Sequence, residues 1–263
     1  MNRSDTMRIL CEHPAWNNGR RLVRTANGVS LASASAAGIE LSTPGPAIDV
    51  YDPADLSDRA PEPLRRGLEA HGPVARLRTP DLWDAIATAI IRQVIRADQA
   101  RLMYQRFTST YGEPAEASRV FPSPEVVLAL ADEAFTGLGM AFKRDPLRAA
   151  AQAVLDQGEK WEQVPPSDLV GELQSVPRIG PWTAGAAVAD FTGDFSLYPY
   201  GDMAVRKYAR QTFPDLDLPD QEAAFAACWS SYSDSSYELS VVTALTLALG
   251  GERAQPLDQN EPS

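Results

Sequence analysis

One tight turn and one carboxylate hold most of the chemistry legible in this 263-residue chain. The turn is Val176-Pro177-Arg178-Ile179-Gly180-Pro181-Trp182-Thr183-Ala184, between two stretches that read as helices. The carboxylate is Asp202, about 22 residues beyond Gly180, in Tyr198-Pro199-Tyr200-Gly201-Asp202 at the start of a third helix. Val176 and Ile179 are placed to plug the space between the helices. Gly180 permits a sharp turn and close backbone approach, and Pro181 suits a first helical turn, where its missing N–H costs nothing. Such a turn aims free backbone N–H groups outward, which makes a phosphate site. A lone acid fixed at a helix N-terminus stabilises a nearby cation. The pair points to an enzyme that grips a nucleic-acid backbone and breaks a glycosidic bond. Each half also has a plainer reading: a Pro/Gly joint that only packs, and an acid that only caps its helix.

Other chemistries have too few residues. Cys11 and Cys228 are the two cysteines and His13 and His71 the two histidines. An iron–sulfur cluster needs four thiolates, and zinc sites draw on more Cys and His than this. The expectation is therefore no metal and no organic cofactor, with carboxylates, water and backbone groups doing the work. No apolar run approaches the ~18 residues of a membrane helix, and Met1-Asn2-Arg3-Ser4-Asp5 lacks a signal-peptide layout. A cytoplasmic monomer is expected. The net charge of −11 opposes casual nucleic-acid binding. Arg92, Arg96, Arg101, Lys143, Arg144, Arg178, Arg206, Lys207 and Arg210 nevertheless cluster around the proposed site in sequence, which allows a basic patch on an acidic body.

The elements that must position these residues are mostly helical. Arg21–Thr25 and Val29–Ser33 flank Asn27-Gly28, a hairpin signal, and 39–42 adds a third strand. Residues 43–63 read as an irregular connection. Thr79-Pro80, Ser123-Pro124 and Asp145-Pro146 each pair a cap residue with proline and so predict helix starts. Residues 92–95 read as a break, and Gly158 as a stop. Further helices are expected over 167–175, from Pro181, and over 202–211, 220–233 and 235–249. This gives a β-containing region and connection at 1–74, a helical domain at 75–250, and a disordered tail at 251–263.

Residues 75–250 resemble the helix-hairpin-helix DNA glycosylase superfamily, most closely its 3-methyladenine DNA glycosylase II branch. Four segments in order carry the resemblance. Ala89-Ile90-Ile91-Arg92-Gln93-Val94 is similar to that branch's Ile-Leu-x-Gln-Gln/Leu. Leu138-Gly139-Met140-Ala141-Phe142-Lys143 is similar to its Leu-Gly-x-x-x-Lys. Ile179-Gly180-Pro181-Trp182-Thr183-Ala184 resembles the hairpin exit, and Tyr198-Pro199-Tyr200-Gly201-Asp202 the segment bearing the catalytic aspartate.

The resemblance implies a mainly α fold: two helical subdomains and a small β-containing N-terminal region. It makes Asp202 the catalytic residue, facing the sugar carbon that turns positive as its base leaves. Members that also cut the strand carry a lysine where this chain has Trp182, so a monofunctional enzyme using water is implied. Trp182 would stack on the extruded base. Val94 falls at the family's wedge position, and Gln93 would reach a base edge or cap a helix. Gly180, Thr183, Arg178 and Arg206 are the candidate DNA contacts.

The chain also departs from the pattern. Arg178 stands where the family hairpin usually has glycine, and Ala186 where the branch has a second pocket aromatic. Trp229-Ser230-Ser231-Tyr232 lacks the late Pro and Arg of the family. Three readings follow. The first is excision of a damaged, alkylated purine from double-stranded DNA. The second is the same scaffold acting on a nucleoside or specialised adduct. The third is a DNA-binding module without chemistry.

Overall fold

The computed structural model describes residues 7–115 and 118–254. The chain opens with β1 (Arg8–Leu10), then the meander β2 (Arg20–Thr25), β3 (Gly28–Ser35) and β4 (Gly38–Leu41), followed by β5 (Ile48–Tyr51). A single 3-10 turn, Pro53–Asp55, leads into α1 (Glu62–His71) and β6 (Val74–Leu77). Helices α2 (Leu82–Arg92) and α3 (Ala97–Tyr111), a small hairpin β7 (Glu113–Ala115) and β8 (Ser118–Val120), α4 (Pro124–Ala129) and α5 (Asp132–Gly137) come next. The rest is helical: α6 (Ala141–Trp161), α7 (Pro166–Gln174), α8 (Pro181–Thr192), α9 (Met203–Thr212), α10 (Glu222–Ser230) and α11 (Ser236–Ala254).

The meander pairs β2-β3-β4 antiparallel, as the Asn27-Gly28 turn predicts for its first hairpin, with Thr25 opposite Gly28. A second sheet, β1-β6-β5, is new: β1 runs parallel to β6 and β5 antiparallel to it. Strand β5 therefore occupies part of the stretch expected to be irregular, while α1 lies almost wholly beyond it, where the sequence pattern turns helical. Strand β6 crosses the expected boundary at residue 74, so the N-terminal region closes on a strand that leads directly into α2.

Helix α2 is the axis of the molecule. Every residue from Leu82 to Ile91 is buried, and a helix apolar on all sides belongs inside a core. It packs against α3, α6 and α8. Helices α4 and α5 pack on α6, while α1 and α9 pack on α11, which gives two helical groups; α8 packs on α2 and α7. One continuous apolar core runs through both, and a small satellite of Trp16, Val23, Ala32 and Leu77 lies under the meander.

Three cap readings change. Helix α2 starts on Asp81, whose carboxylate accepts from the Trp83 and Asp84 amides. The Thr79 hydroxyl instead accepts from Arg21 at 3.1 Å. Asp145-Pro146 does not begin a helix, because α6 already starts at Ala141 and Pro146 lies inside it. Its lost N–H bond falls on the carbonyl of Phe142, whose side chain is exposed. Gly158 does not stop α6 either, since Trp161 is buried one turn on and donates to Glu172 at 3.3 Å. Ser123, in contrast, does precede a helix opening on Pro124. The tail expected from Gly251 is helical as far as Ala254, and the remainder lies outside the described residues.

Candidate active site

The turn between α7 and α8 forms as its residues dictate. Val176 and Ile179 are both buried, and the Ile179 amide closes on the Val176 carbonyl at 3.1 Å. Gly180 is the N-cap of α8, and the first helical bond runs from the Ala184 amide to the Gly180 carbonyl. The amides of Gly180, Trp182 and Thr183 thus stay outside the helical ladder, and Pro181 has none. A Cβ on Gly180 would meet nothing within 4 Å, so this helix end is open to an approaching group. Arg178 is exposed and holds φ of +69°. That is left-handed backbone, which glycine adopts without strain and other residues rarely do, and it accounts for the glycine preferred at this position.

Asp202 is presented by two consecutive tight turns. The Tyr200 amide donates to the Tyr198 carbonyl at 2.7 Å, and the Asp202 amide to the Pro199 carbonyl at 2.8 Å. The carboxylate then caps α9, accepting from the Ala204 amide at 3.4 Å. It is half-buried and forms no ion pair among the described residues. The strand of chain leading to it lies flat on α8. A Cβ added to Gly185 would sit 2.6 Å from the Leu197 carbonyl oxygen and 3.1 Å from Pro199 Cδ. Glycine at 185 is what lets α8 and the Asp202 segment touch.

The end of α2 joins the same place. Burial pushes the Tyr198 phenol above the ordinary tyrosine range, with Arg92 opposing the rise and Asp202 adding to it. Asp190 adds to the rise as well. Arg92 Nη1 lies 3.5 Å from Asp190 Oδ2 on α8. The next residue, Gln93, donates through Nε2 to Thr183 Oγ1 at 2.5 Å and to the Arg178 carbonyl at 3.4 Å. Val94 follows at φ +59° and is fully exposed.

No family model matches the chain. A Bacillus subtilis protein provisionally named a DNA-3-methyladenine glycosylase is 22% identical over 171 residues, 62% of this chain and 59% of its own length. A Mycobacterium tuberculosis protein provisionally named a bifunctional transcriptional activator and DNA repair enzyme is 27% identical over 189 residues, 65% of this chain and 36% of its own. The chain thus spans less than two thirds of either relative. The solved 3-methyladenine DNA-glycosylase of Archaeoglobus fulgidus superposes with a TM-score of 0.64 at 17% identity, over 94% of this chain and 93% of that one. This is the helix-hairpin-helix glycosylase fold. The resemblance read from the four sequence segments therefore holds across the architecture.

Within that fold the candidate residues separate. Asp202, Gln93, Val94, Arg178, Gly180, Thr183 and half-buried Trp182 fall around the junction of α2, α8 and the start of α9. Thr183 is buried and its hydroxyl is occupied by Gln93. Arg206 faces elsewhere: its Nη1 donates to the Asp220 carbonyl at 2.9 Å, tying α9 to the loop before α10. Ala186 is completely buried. A cavity of about 590 Å³ lies behind the Asp202 segment, between Ser167 and Val170 of α7, Tyr198–Gly201, and Glu222 and Ala226 of α10. A larger cleft of about 690 Å³, bordered by Arg20, Arg24, Asp81, Gln105 and Arg119, touches none of the candidate residues.

Asp190 gave no sign of a site role in the sequence, since its contacts join elements far apart in the chain; Arg92 was legible only as one of the bases around the proposed site, and Tyr198 only as part of the Asp202 segment. Among the described residues, no helix is long and apolar enough to cross a membrane, and no group of three or more His, Cys, Asp or Glu is placed to hold a metal ion.

Proposed function

We propose that the chain is a monofunctional DNA N-glycosylase that hydrolyses the bond between deoxyribose and a damaged, alkylated purine in duplex DNA. It works as a cytoplasmic monomer without metal or organic cofactor. The observation that carries this reading is the placement of Asp202: an isolated, half-buried carboxylate on a helix cap, pinned to α8 beside a hairpin with open backbone amides. The names of the sequence relatives, and the fold shared with a 3-methyladenine DNA-glycosylase, support the same reading.

The hairpin amides and Arg178 hold phosphates on either side of the lesion, and Val94 enters the stack as the nucleotide leaves it. As the C1′–N bond lengthens, positive charge grows on the sugar. The Asp202 carboxylate stabilises that charge and orients the water that replaces the base. Trp182, in the place of a Schiff-base lysine, leaves water as the nucleophile and offers an aromatic face to the base. Alanine at 186, where the branch has a second pocket aromatic, favours a second reading as well: the same scaffold acting on a nucleoside or a specialised adduct.

The test is incubation with alkylated duplex DNA and mass spectrometry of the released bases. Asp202→Asn keeps the cap acceptor and the volume but removes the charge, so base release should fall by at least about a hundredfold with DNA binding retained. Full release by that variant would remove Asp202 from the mechanism. Release of an adduct other than an alkylated purine by the unaltered protein would select the second reading.

A further inference from the structure

Lys143 is the third residue of α6 and only 2% exposed. A buried lysine needs a reason, because losing its hydration is costly unless hydrogen bonds replace it. Its Nζ donates to the Ile90 carbonyl at 2.7 Å and to the Gln93 carbonyl at 2.8 Å. Ile90 lies in the final turn of α2 and Gln93 is its C-cap. The Ile90 carbonyl accepts one further bond, from the Gln93 amide at 3.3 Å, and the last carbonyls of a helix favour a cation as partner. Burial pulls the ammonium pKa down to about 8.

The Gln93 carbonyl belongs to the same peptide group as the Val94 amide, so fixing one fixes the plane on which the other turns. Val94 needs such fixing. A β-branched side chain at φ +59° is a backbone outlier that persists only where its surroundings over-determine it. Gln93 is held from two sides: its carbonyl by Lys143, and its side-chain amide by Thr183 and the Arg178 carbonyl. The exposed valine stands directly beyond this clamp.

We propose that Lys143 is a positioning residue whose two hydrogen bonds to the end of α2 hold the Gln93–Val94 peptide, so that Val94 projects as a preformed wedge. The clamp is a statement about the free protein, and the wedge role rests on the glycosylase reading above.

Two measurements test it. In the free protein, hydrogen exchange at residues 93–96 should speed up by about tenfold or more in Lys143→Met, as loss of charge-assisted bonds implies, with α8 amides unchanged. No change at 93–96, or an equal rise throughout, would overturn the clamp. On duplex DNA with 2-aminopurine beside an alkylated base, Lys143→Met and Val94→Gly should each reduce the flipping signal. The double variant should be no worse than Val94→Gly alone, because residues acting through one another do not add. Additive losses would overturn the action through Val94. If Lys143→Met fails to fold, Lys143→Gln, too short to span both carbonyls, carries the same expectations. An unaltered protein that neither flips nor excises a base would defeat the glycosylase reading and with it the wedge role, while the exchange data would still decide the clamp.

Discussion

Asp190 on α8 accepts a hydrogen bond from Arg76 on β6 at 2.6 Å, with both side chains almost wholly buried. Arg76 also binds Glu12, and Arg92 approaches the second oxygen of Asp190. One carboxylate thus joins the N-terminal sheet, the end of α2 and α8. Removing one partner of a buried pair leaves an uncompensated charge. Asp190→Ala should therefore lower stability by about 3–5 kcal/mol, read as a shift of the urea midpoint. A loss below about 1 kcal/mol would mean that the network behaves as a solvated surface pair.

Asp81 makes a different electrostatic claim. It caps α2, and burial together with the neighbouring Asp84 raises its pKa to about 6. An aspartate in an unfolded chain titrates near about 4, so the folded state holds the proton more tightly. Its stabilisation is full below about pH 4 and is lost as pH rises through about 6. Asp81→Asn retains the cap acceptor and removes the buried charge. It should raise stability at pH 8 by up to about 2 kcal/mol, allowing for the lost 3.4 Å contact to Arg24, and should give no gain at pH 4. An equal effect at both pH values would show that the charge is immaterial.

Both residues show where sequence reasoning stops. The hairpin, the Asp202 turn and the helices around them were legible because each rests on local chemistry: buried plugs at 176 and 179, proline at 181, a cap at 202. The misplaced starts at Thr79 and Asp145 had the same local signals, and tertiary contacts overrode them. Thr79 was taken by Arg21 from a strand 58 residues away, and Pro146 was absorbed into a helix that had begun a turn earlier. The short parallel strand β1 has no local signature, because its partner β6 lies beyond four other strands and a helix. Lys143 stood in a recognised segment, but its role depends on the end of α2, which sequence spacing does not reveal.

Gly185 supplies the test of how Asp202 is held. Its missing side chain is what allows the Leu197–Pro199 backbone to lie against α8. Gly185→Ala forces backbone apart from backbone, and overpacking of this kind costs about 1–3 kcal/mol. On the glycosylase reading proposed above, the activity loss should exceed what that destabilisation explains, because displacing a catalytic group by an ångström costs about a hundredfold. Single-turnover excision at a temperature where the variant is fully folded separates the two. Excision unchanged under those conditions would mean that Asp202 is positioned by its own turns alone.

Arg178 carries two opposed effects, strain and charge, which two substitutions separate. Its left-handed backbone costs roughly 1–2 kcal/mol in a residue with a Cβ, and Arg178→Gly relieves that cost. Glycine's greater freedom in the unfolded chain offsets about 0.5–1 kcal/mol of the gain. The melting temperature of Arg178→Gly should therefore hold or rise slightly, while Arg178→Ala keeps the strain and gains nothing. If the guanidinium contacts a DNA phosphate, both variants should bind duplex more weakly. The slope of log affinity against log salt should then fall by about 0.9 in each, one released counterion's worth. An unchanged slope with weaker binding would instead assign the loss to the shape of the hairpin. An unchanged slope with unchanged binding would make Arg178 a solvated side chain, and would leave phosphate recognition to the amides at the start of α8.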